Sequence, residues 1–170
     1  MKPHLLLLTY LPLSMASLEE FTGTNNAIQM FINHNYLAIN KDGRVYGITD
    51  QNHVDTMLKR IAVNDKGRII IQNIVNCMFL CIARCGKLYA SNRLSLDCFI
   101  NEKMEPNNYN TYYKVYNRKL TFVALKHNGK LKRLQIFKTQ NLSKLGEYTL
   151  VMLKRGLILQ HIKHANPQNL

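Results

Sequence analysis

The sequence has no tryptophan and only 10 acidic residues against 23 lysines and arginines. A site that stacks sugar rings favours tryptophan, so its absence counts against a lectin. No GxSxG, HExxH or P-loop motif occurs, so no nucleophile, metal-bound water or phosphate cradle can be named, and an enzyme is not expected. The four cysteines show no CxxC spacing and the six histidines are scattered, which argues against zinc or any other metal. No stretch approaches the roughly 18 apolar residues that a spanning helix needs, so no membrane insertion is expected. Between residues 106 and 146 there is no Asp or Glu at all.

What apolar run exists lies at the start. Lys2 and His4 precede Leu5, Leu6, Leu7 and Leu8, the run continues through Tyr10 to Leu13, and Ser14 and Ala16 flank Met15. This is the basic, apolar and small-x-small order of a secretory signal, with cleavage expected after Ala16. Pro3 and Pro12 bracket the run badly for a buried strand or helix. Cleavage would remove Lys2 and lower the formal net charge from +13 to +12. A secreted domain this basic needs an acidic partner, and outside the cell that partner is sulfated polysaccharide rather than nucleic acid. The acid-free stretch carries Lys114, Arg118, Lys119, Lys126, Lys130, Lys132, Arg133, Lys138 and Lys144, either a solvated face or a polyanion site.

An oxidising compartment would allow the four cysteines three full pairings. Yet Cys77, Cys81 and Cys85 crowd one hairpin while Cys98 stands apart. Free or partly paired thiols are therefore expected, not a disulfide scaffold.

The chain is organised by a sentence said three times: YLAINKDGRVYG at residues 36–47, FLCIARCGKLYA at 79–90 and FVALKHNGKLKR at 122–133, each 43 residues after the last. Leu37 and Ile39, Leu80 and Ile82, and Val123 and Leu125 alternate as a half-buried strand requires. Gly43, Gly86 and Gly129 follow at a fixed place and supply the positive φ of a tight hairpin. One hairpin cannot bury its apolar face alone, so the three must share a core. An open meander would satisfy that, but constant spacing favours threefold closure without exposed edges: an all-β chain, a β-trefoil. The expected layout is a signal over residues 1–16, a tail over 17–28, the trefoil over 29–153 and a C-terminal tail over 154–170.

The second informative stretch follows Cys98: CFINEKMEPNNYNTYYKVY. Pro106 and the asparagines after it are turn formers, so Tyr109 belongs on an exposed ribbon, and Tyr112 and Tyr113 follow it. Amphipathic aromatics placed there suit a protein interface as well as they suit the rim of a barrel.

Taken together, YLAINKDGRVYG, LYAS at residues 88–91, DCF at 97–99, PNNYNTY at 106–112 and FVALKHNGKLKR resemble a fibroblast growth factor over residues 29–153. The divergence and the additional cysteines resemble the growth factors carried by insect baculoviruses, and only Cys98 matches a cysteine widely kept in the family. The resemblance implies a β-trefoil ligand that binds heparan sulfate as co-ligand, uses no cofactor, and dimerises receptor tyrosine kinases to drive growth or motility. It carries the receptor contacts onto Glu102, Asn107, Tyr109 and Leu153. It carries the polysaccharide site onto Lys126, Asn128, Lys132 and Arg133, with Lys130 and Lys144 beside them and Lys138-Thr139 resembling a later basic pair.

The chain departs from the family pattern in places. Leu134 stands where a glycine is common, Gln135-Ile136-Phe137 look inserted, and Glu147 and Tyr148 hold positions that often finish the polyanion site. Gln29 stands where an aromatic often meets receptor. Asn141-Leu142-Ser143 is a glycosylation sequon, and a glycan on Asn141 would be expected to compete for the basic face. A secreted trefoil that binds sulfated polysaccharide without signalling is the alternative.

Overall fold

The computed structural model describes residues 27–63 and 67–155. The expected signal over residues 1–16 and most of both tails lie outside the described residues. Twelve strands run in three sets of four: β1 (Ile28–Ile32), β2 (Asn35–Ile39), β3 (Val45–Ile48) and β4 (Leu58–Ala62); β5 (Arg68–Asn73), β6 (Phe79–Ile82), β7 (Leu88–Ser91) and β8 (Ile100–Met104); β9 (Asn110–Tyr116), β10 (Lys119–Phe122), β11 (Leu134–Phe137) and β12 (Val151–Arg155). The outer strands of each set close a six-stranded antiparallel ring: β1 pairs β4 and β12, β5 pairs β4 and β8, and β9 pairs β8 and β12. The inner pairs β2–β3, β6–β7 and β10–β11 are the three repeated hairpins. This is the β-trefoil that the 43-residue spacing predicts, with no sheet edge left inside the ring.

The core follows the repeat. Leu37, Leu80 and Val123 are wholly buried, and so are Ile39, Ile82 and Leu125 one strand step further along, and Leu58, Ile100 and Val151 at the starts of β4, β8 and β12. Each such side chain contributes on the order of 2 kcal/mol by leaving water. The first two layers keep the 43-residue frame, which is why strands that far apart in the chain converge.

The turn glycines do more than bend the chain. Gly43 sits against Ala90, Gly86 against Arg133 and Gly129 against Gly47, so each hairpin tip docks on the corresponding position of the next hairpin. The Ala90 amide donates to the Gly43 carbonyl at 3.1 Å, and the Gly47 amide to that of Gly129 at 2.8 Å. The φ angles of +80°, +85° and +76° favour glycine, and the close approach of the neighbour forbids a Cβ at Gly129 in particular.

A second set of turns joins the first two strands of each repeat. Asn33-His34 and Asn117-Arg118 both have positive φ throughout, as a tight two-residue hairpin requires, and Cys77 takes φ 60° after Asn76 in the middle repeat. The asparagines recur at nearly the same spacing as the glycines.

Cys81 of β6 bonds Cys98, which lies in the 3-10 turn Leu96–Cys98, while Cys77 and Cys85 are free and exposed. The pairing joins the core end of the second hairpin to the start of β8. Closing a loop of 17 residues restrains the unfolded chain by about 3 kcal/mol.

Candidate functional site

Two faces gather the residues that the sequence singles out. The first is the β8–β9 hairpin, whose register pairs Met104 with Asn110, Lys103 with Thr111 and Glu102 with Tyr112. Its tip is closed by the Glu105 amide on the Tyr109 carbonyl at 2.8 Å and the Asn108 amide on the Glu105 carbonyl at 3.1 Å. The Asn107 side chain accepts from the Tyr109 amide at 3.2 Å, an Asx turn that fixes Asn107 and Tyr109 relative to each other. Asn107 is exposed and Tyr109 half-buried. β12 meets β9 at Val151 and Asn110. Leu153 packs partly against the core, opposite Met30.

Glu102 is held inside the molecule. Arg60 of β4 approaches Glu102 Oε2 through Nη2 at 2.6 Å and Nε at 2.8 Å, and the Tyr112 hydroxyl donates to Oε1 at 2.7 Å. Tyr112 is 1% exposed, and burial, then the hydrogen bond to this carboxylate, push its phenol far above the ordinary value. Gln29 is also committed inward: it is 4% exposed and donates to the Thr56 hydroxyl at 2.9 Å.

Glu105 braces the tip. Its carboxylate accepts from Lys103 Nζ at 2.9 Å and from the Thr111 hydroxyl at 2.9 Å. Burial alone would raise its pKa, but these hydrogen bonds outweigh burial and the net shift is downward. A depressed folded-state pKa favours the ionised form, so the contribution is fully present above the ordinary carboxylate range and is lost as pH falls through the folded value. Glu105→Gln is therefore expected to cost about 1 kcal/mol at neutral pH and progressively less in acid. Urea melts of the two proteins at both pH values measure the gap; a gap that persists in acid would contradict the assignment.

The second face is the third hairpin tip. Lys126, His127, Asn128, Lys132 and Tyr148 line a hollow of about 360 Å³. Repeat one holds this turn from behind: Asn35 donates to the His127 carbonyl at 2.9 Å and Asn33 to the Leu125 carbonyl at 3.1 Å. The Asn128 side chain accepts from the Lys130 amide at 3.2 Å, leaving the Lys130 side chain exposed.

Here the threefold symmetry breaks, and it breaks toward positive charge. In repeats one and two Tyr46 and Tyr89 donate to Asp55 and Asp97 at 2.6 and 2.9 Å. Burial, then the Asp55 hydrogen bond, lift Tyr46 to about 12. In repeat three the same positions hold Lys132 and Tyr148, and the Lys132 ammonium stands 3.4 Å from the Tyr148 ring centroid as a cation–π pair. Likewise Arg133 occupies the place of Gly47 and Ala90.

Not every predicted basic residue joins this face. Gln135-Ile136-Phe137, the apparent insertion, forms most of β11, whose register runs Phe122 with Leu134 to Lys119 with Phe137. The strand carries Lys138 to the far end of β10, where its amide donates to the Arg118 carbonyl at 2.9 Å. At about 3.3 Å per residue the six steps from Lys132 to Lys138 extend up to about 20 Å. Lys144 is exposed on the 3-10 turn Ser143–Tyr148. Asn141 lies not in the hollow of Lys126 and Lys132 but in a groove with Lys103, Glu105, Pro106, Asn107 and Thr111, because β10 and β11 stay paired for three residues beyond Phe122 and Leu134 before the chain reaches the sequon.

Sequence reasoning missed Arg60, Glu105 and Tyr112 as supports. The available signal was positional: Lys103 and Glu105 lie two apart and share one face of a strand. Nothing in the sequence announces that Arg60, 42 residues away, completes the Glu102 pair.

A profile described as "Fibroblast growth factor" matches residues 26–145. The "Fibroblast growth factor homolog" of Autographa californica nuclear polyhedrosis virus is 54% identical over 140 residues, 82% of this chain and 77% of that protein. Its counterpart in Orgyia pseudotsugata multicapsid polyhedrosis virus is 43% identical over 143 residues, 84% and 69% of the two chains. Human fibroblast growth factor 2 is 34% identical over 99 residues, 57% of this chain and 33% of its own. The threefold barrel, the profile match and the identity to the viral homologs lead to one conclusion: this chain belongs to the fibroblast growth factor family, a family of signalling ligands and not of enzymes.

Proposed function

We propose that this protein is a secreted growth-factor ligand that gathers on heparan sulfate and activates a receptor tyrosine kinase through its β8–β9 face. The observation that carries the polysaccharide half is the broken symmetry: where repeats one and two hold Tyr and a small residue, repeat three holds Lys132 and Arg133 beside Lys126, Asn128 and Lys130, in a stretch without an acid until Glu147. Binding there neutralises sulfates and releases counterions, so affinity falls steeply with salt. The polysaccharide then tethers ligand and receptor, and the second contact becomes effectively intramolecular.

On the receptor half, Tyr109 supplies the aromatic anchor and Asn107 the hydrogen-bonding groups, with Leu153 adding apolar contact beside them. Glu102 positions this surface through Arg60 and Tyr112. A glycan on Asn141 would stand next to Asn107, and so would modulate receptor contact more than polysaccharide contact. Export relies on the signal at residues 1–16, and secretion of the expressed chain tests it. The internal pairing of Glu102 favours one second reading, a polysaccharide binder that does not signal.

Changing Lys126, Lys132 and Arg133 to Ala is expected to lower the salt concentration that elutes the protein from immobilised heparin, with roughly tenfold or greater loss of affinity at physiological salt. Unaltered elution would show that the basic face is only a solvated surface.

A further inference from the structure

The polysaccharide site proposed above leaves a neighbouring cluster of charge unexplained. The second hairpin ends in Arg84-Cys85-Gly86-Lys87, with Arg84 and Lys87 exposed and no acid in the turn. Because each tip docks on the next hairpin, this one lands on repeat three: a Cβ on Gly86 would stand 3.1 Å from Arg133 Cγ and 3.0 Å from Gln135. Gln135 of β11 donates to the Arg84 carbonyl at 3.1 Å and ties the two tips together. Between them lies a second hollow of about 210 Å³, walled by Gly86, Lys87, Leu131, Lys132 and Arg133. Lys132 walls this hollow and the one that holds Lys126 and Asn128, so the two are adjacent. The first hairpin offers no such continuation: its turn contains Asp42, and its tip docks away from repeat three, on Ala90.

We propose that the polyanion track runs from Lys126 and Asn128 across Lys132 and Arg133 onto Lys87 and Arg84 of the second hairpin, with Lys138 outside it. The occupant is a linear sulfated polysaccharide, whose repeating anions match a row of cations drawn from two hairpin tips. The continued pairing of β10 and β11 past Phe122 and Leu134 accounts for both changes at once. It carries Lys138 to the far end of β10, and through Gln135 it fastens the second tip beside Arg133.

This inference rests on the reading that the protein binds such polysaccharide, and the test separates the two. Heparin affinity of the purified full chain is measured against salt for wild type, for Arg84→Ala with Lys87→Ala, and for Lys119→Ala with Lys138→Ala, which removes the same charge at the far end. The first pair is expected to weaken binding roughly tenfold and to reduce the salt slope by nearly two, and the second pair to change little. Equal losses in both pairs, or no loss in the first, would overturn the extended track while leaving polysaccharide binding intact. A wild type that binds no heparin would instead sink the underlying reading. Independently of any variant, a heparin octasaccharide should protect Lys87 of the wild-type protein from amine acetylation and leave Lys138 reactive. The reverse pattern would overturn the proposal.

Discussion

Gly129→Ala is expected to destabilise the protein by about 4 kcal/mol, a large part of the stability of a domain this size. Two costs combine. The residue has φ +76°, where a Cβ costs roughly 1–2 kcal/mol. That Cβ would also stand 2.4 Å from the Gly47 carbonyl oxygen, and backbone on both sides would have to move. Gly67→Ala is the control, because Gly67 has φ +68° but no atom within 4 Å of the added carbon. It should cost about 1 kcal/mol. Gly43→Ala should fall between them, with the Ala90 oxygen at 3.1 Å. Denaturant melts rank the three. If Gly129→Ala and Gly67→Ala cost the same, the glycines serve turn geometry alone, and the docking of each tip on the next hairpin carries no energy.

The second large effect belongs to Glu102. Glu102→Ala leaves the fully buried Tyr112 hydroxyl and the Arg60 guanidinium without their shared acceptor. Because Arg60 is 38% exposed, solvent recovers part of the loss, and about 2–3 kcal/mol is expected rather than the full cost of orphaning a buried charge. Arg60→Ala should cost less, about 1 kcal/mol, since Glu102 keeps the Tyr112 bond. A double-mutant cycle with Tyr112→Phe apportions the network. If Glu102→Ala abolishes receptor activation while leaving the melting curve unchanged, Glu102 is a direct contact and not the internal strut described above.

Much of the fold was legible because the chain states its hairpin three times with a glycine at a fixed place. Alternation marked the layers containing Leu37, Leu80 and Val123, and the turn glycines marked where each strand reverses. The asparagines Asn33, Asn76 and Asn117 carried a second periodic signal that went unread, since asparagine is common in loops of many kinds. The docking of Gly129 on Gly47 could not be read, because the sequence shows which φ a turn needs and not what the turn will touch.

The candidate site was legible where it is local. The tip of Asn107 and Tyr109 is built from consecutive residues, and so is the turn holding Lys126 and Asn128. It was illegible where it depends on strand register. The family resemblance and the acid-free run placed Lys138 with Lys132, yet three strand pairs beyond Phe122 and Leu134 carry it away along β10, and Asn141 comes to line a groove with Asn107. The joining of Lys87 to Arg133 is likewise a property of the threefold arrangement and of no single segment.

In the proposed mechanism one ligand uses two faces, the β8–β9 tip for receptor and the third-repeat hollow for polysaccharide. The most direct measurement is receptor phosphorylation in insect cells given conditioned medium with equal amounts of wild-type protein or Tyr109→Ala, each with and without added heparin. Wild-type protein is expected in the medium, with a response that depends on heparin. For Tyr109→Ala the response should fall about tenfold or more, with retention on immobilised heparin unchanged. A secreted, folded wild type that binds heparin and triggers no phosphorylation would contradict the two-face mechanism and identify the protein as a binder that does not signal.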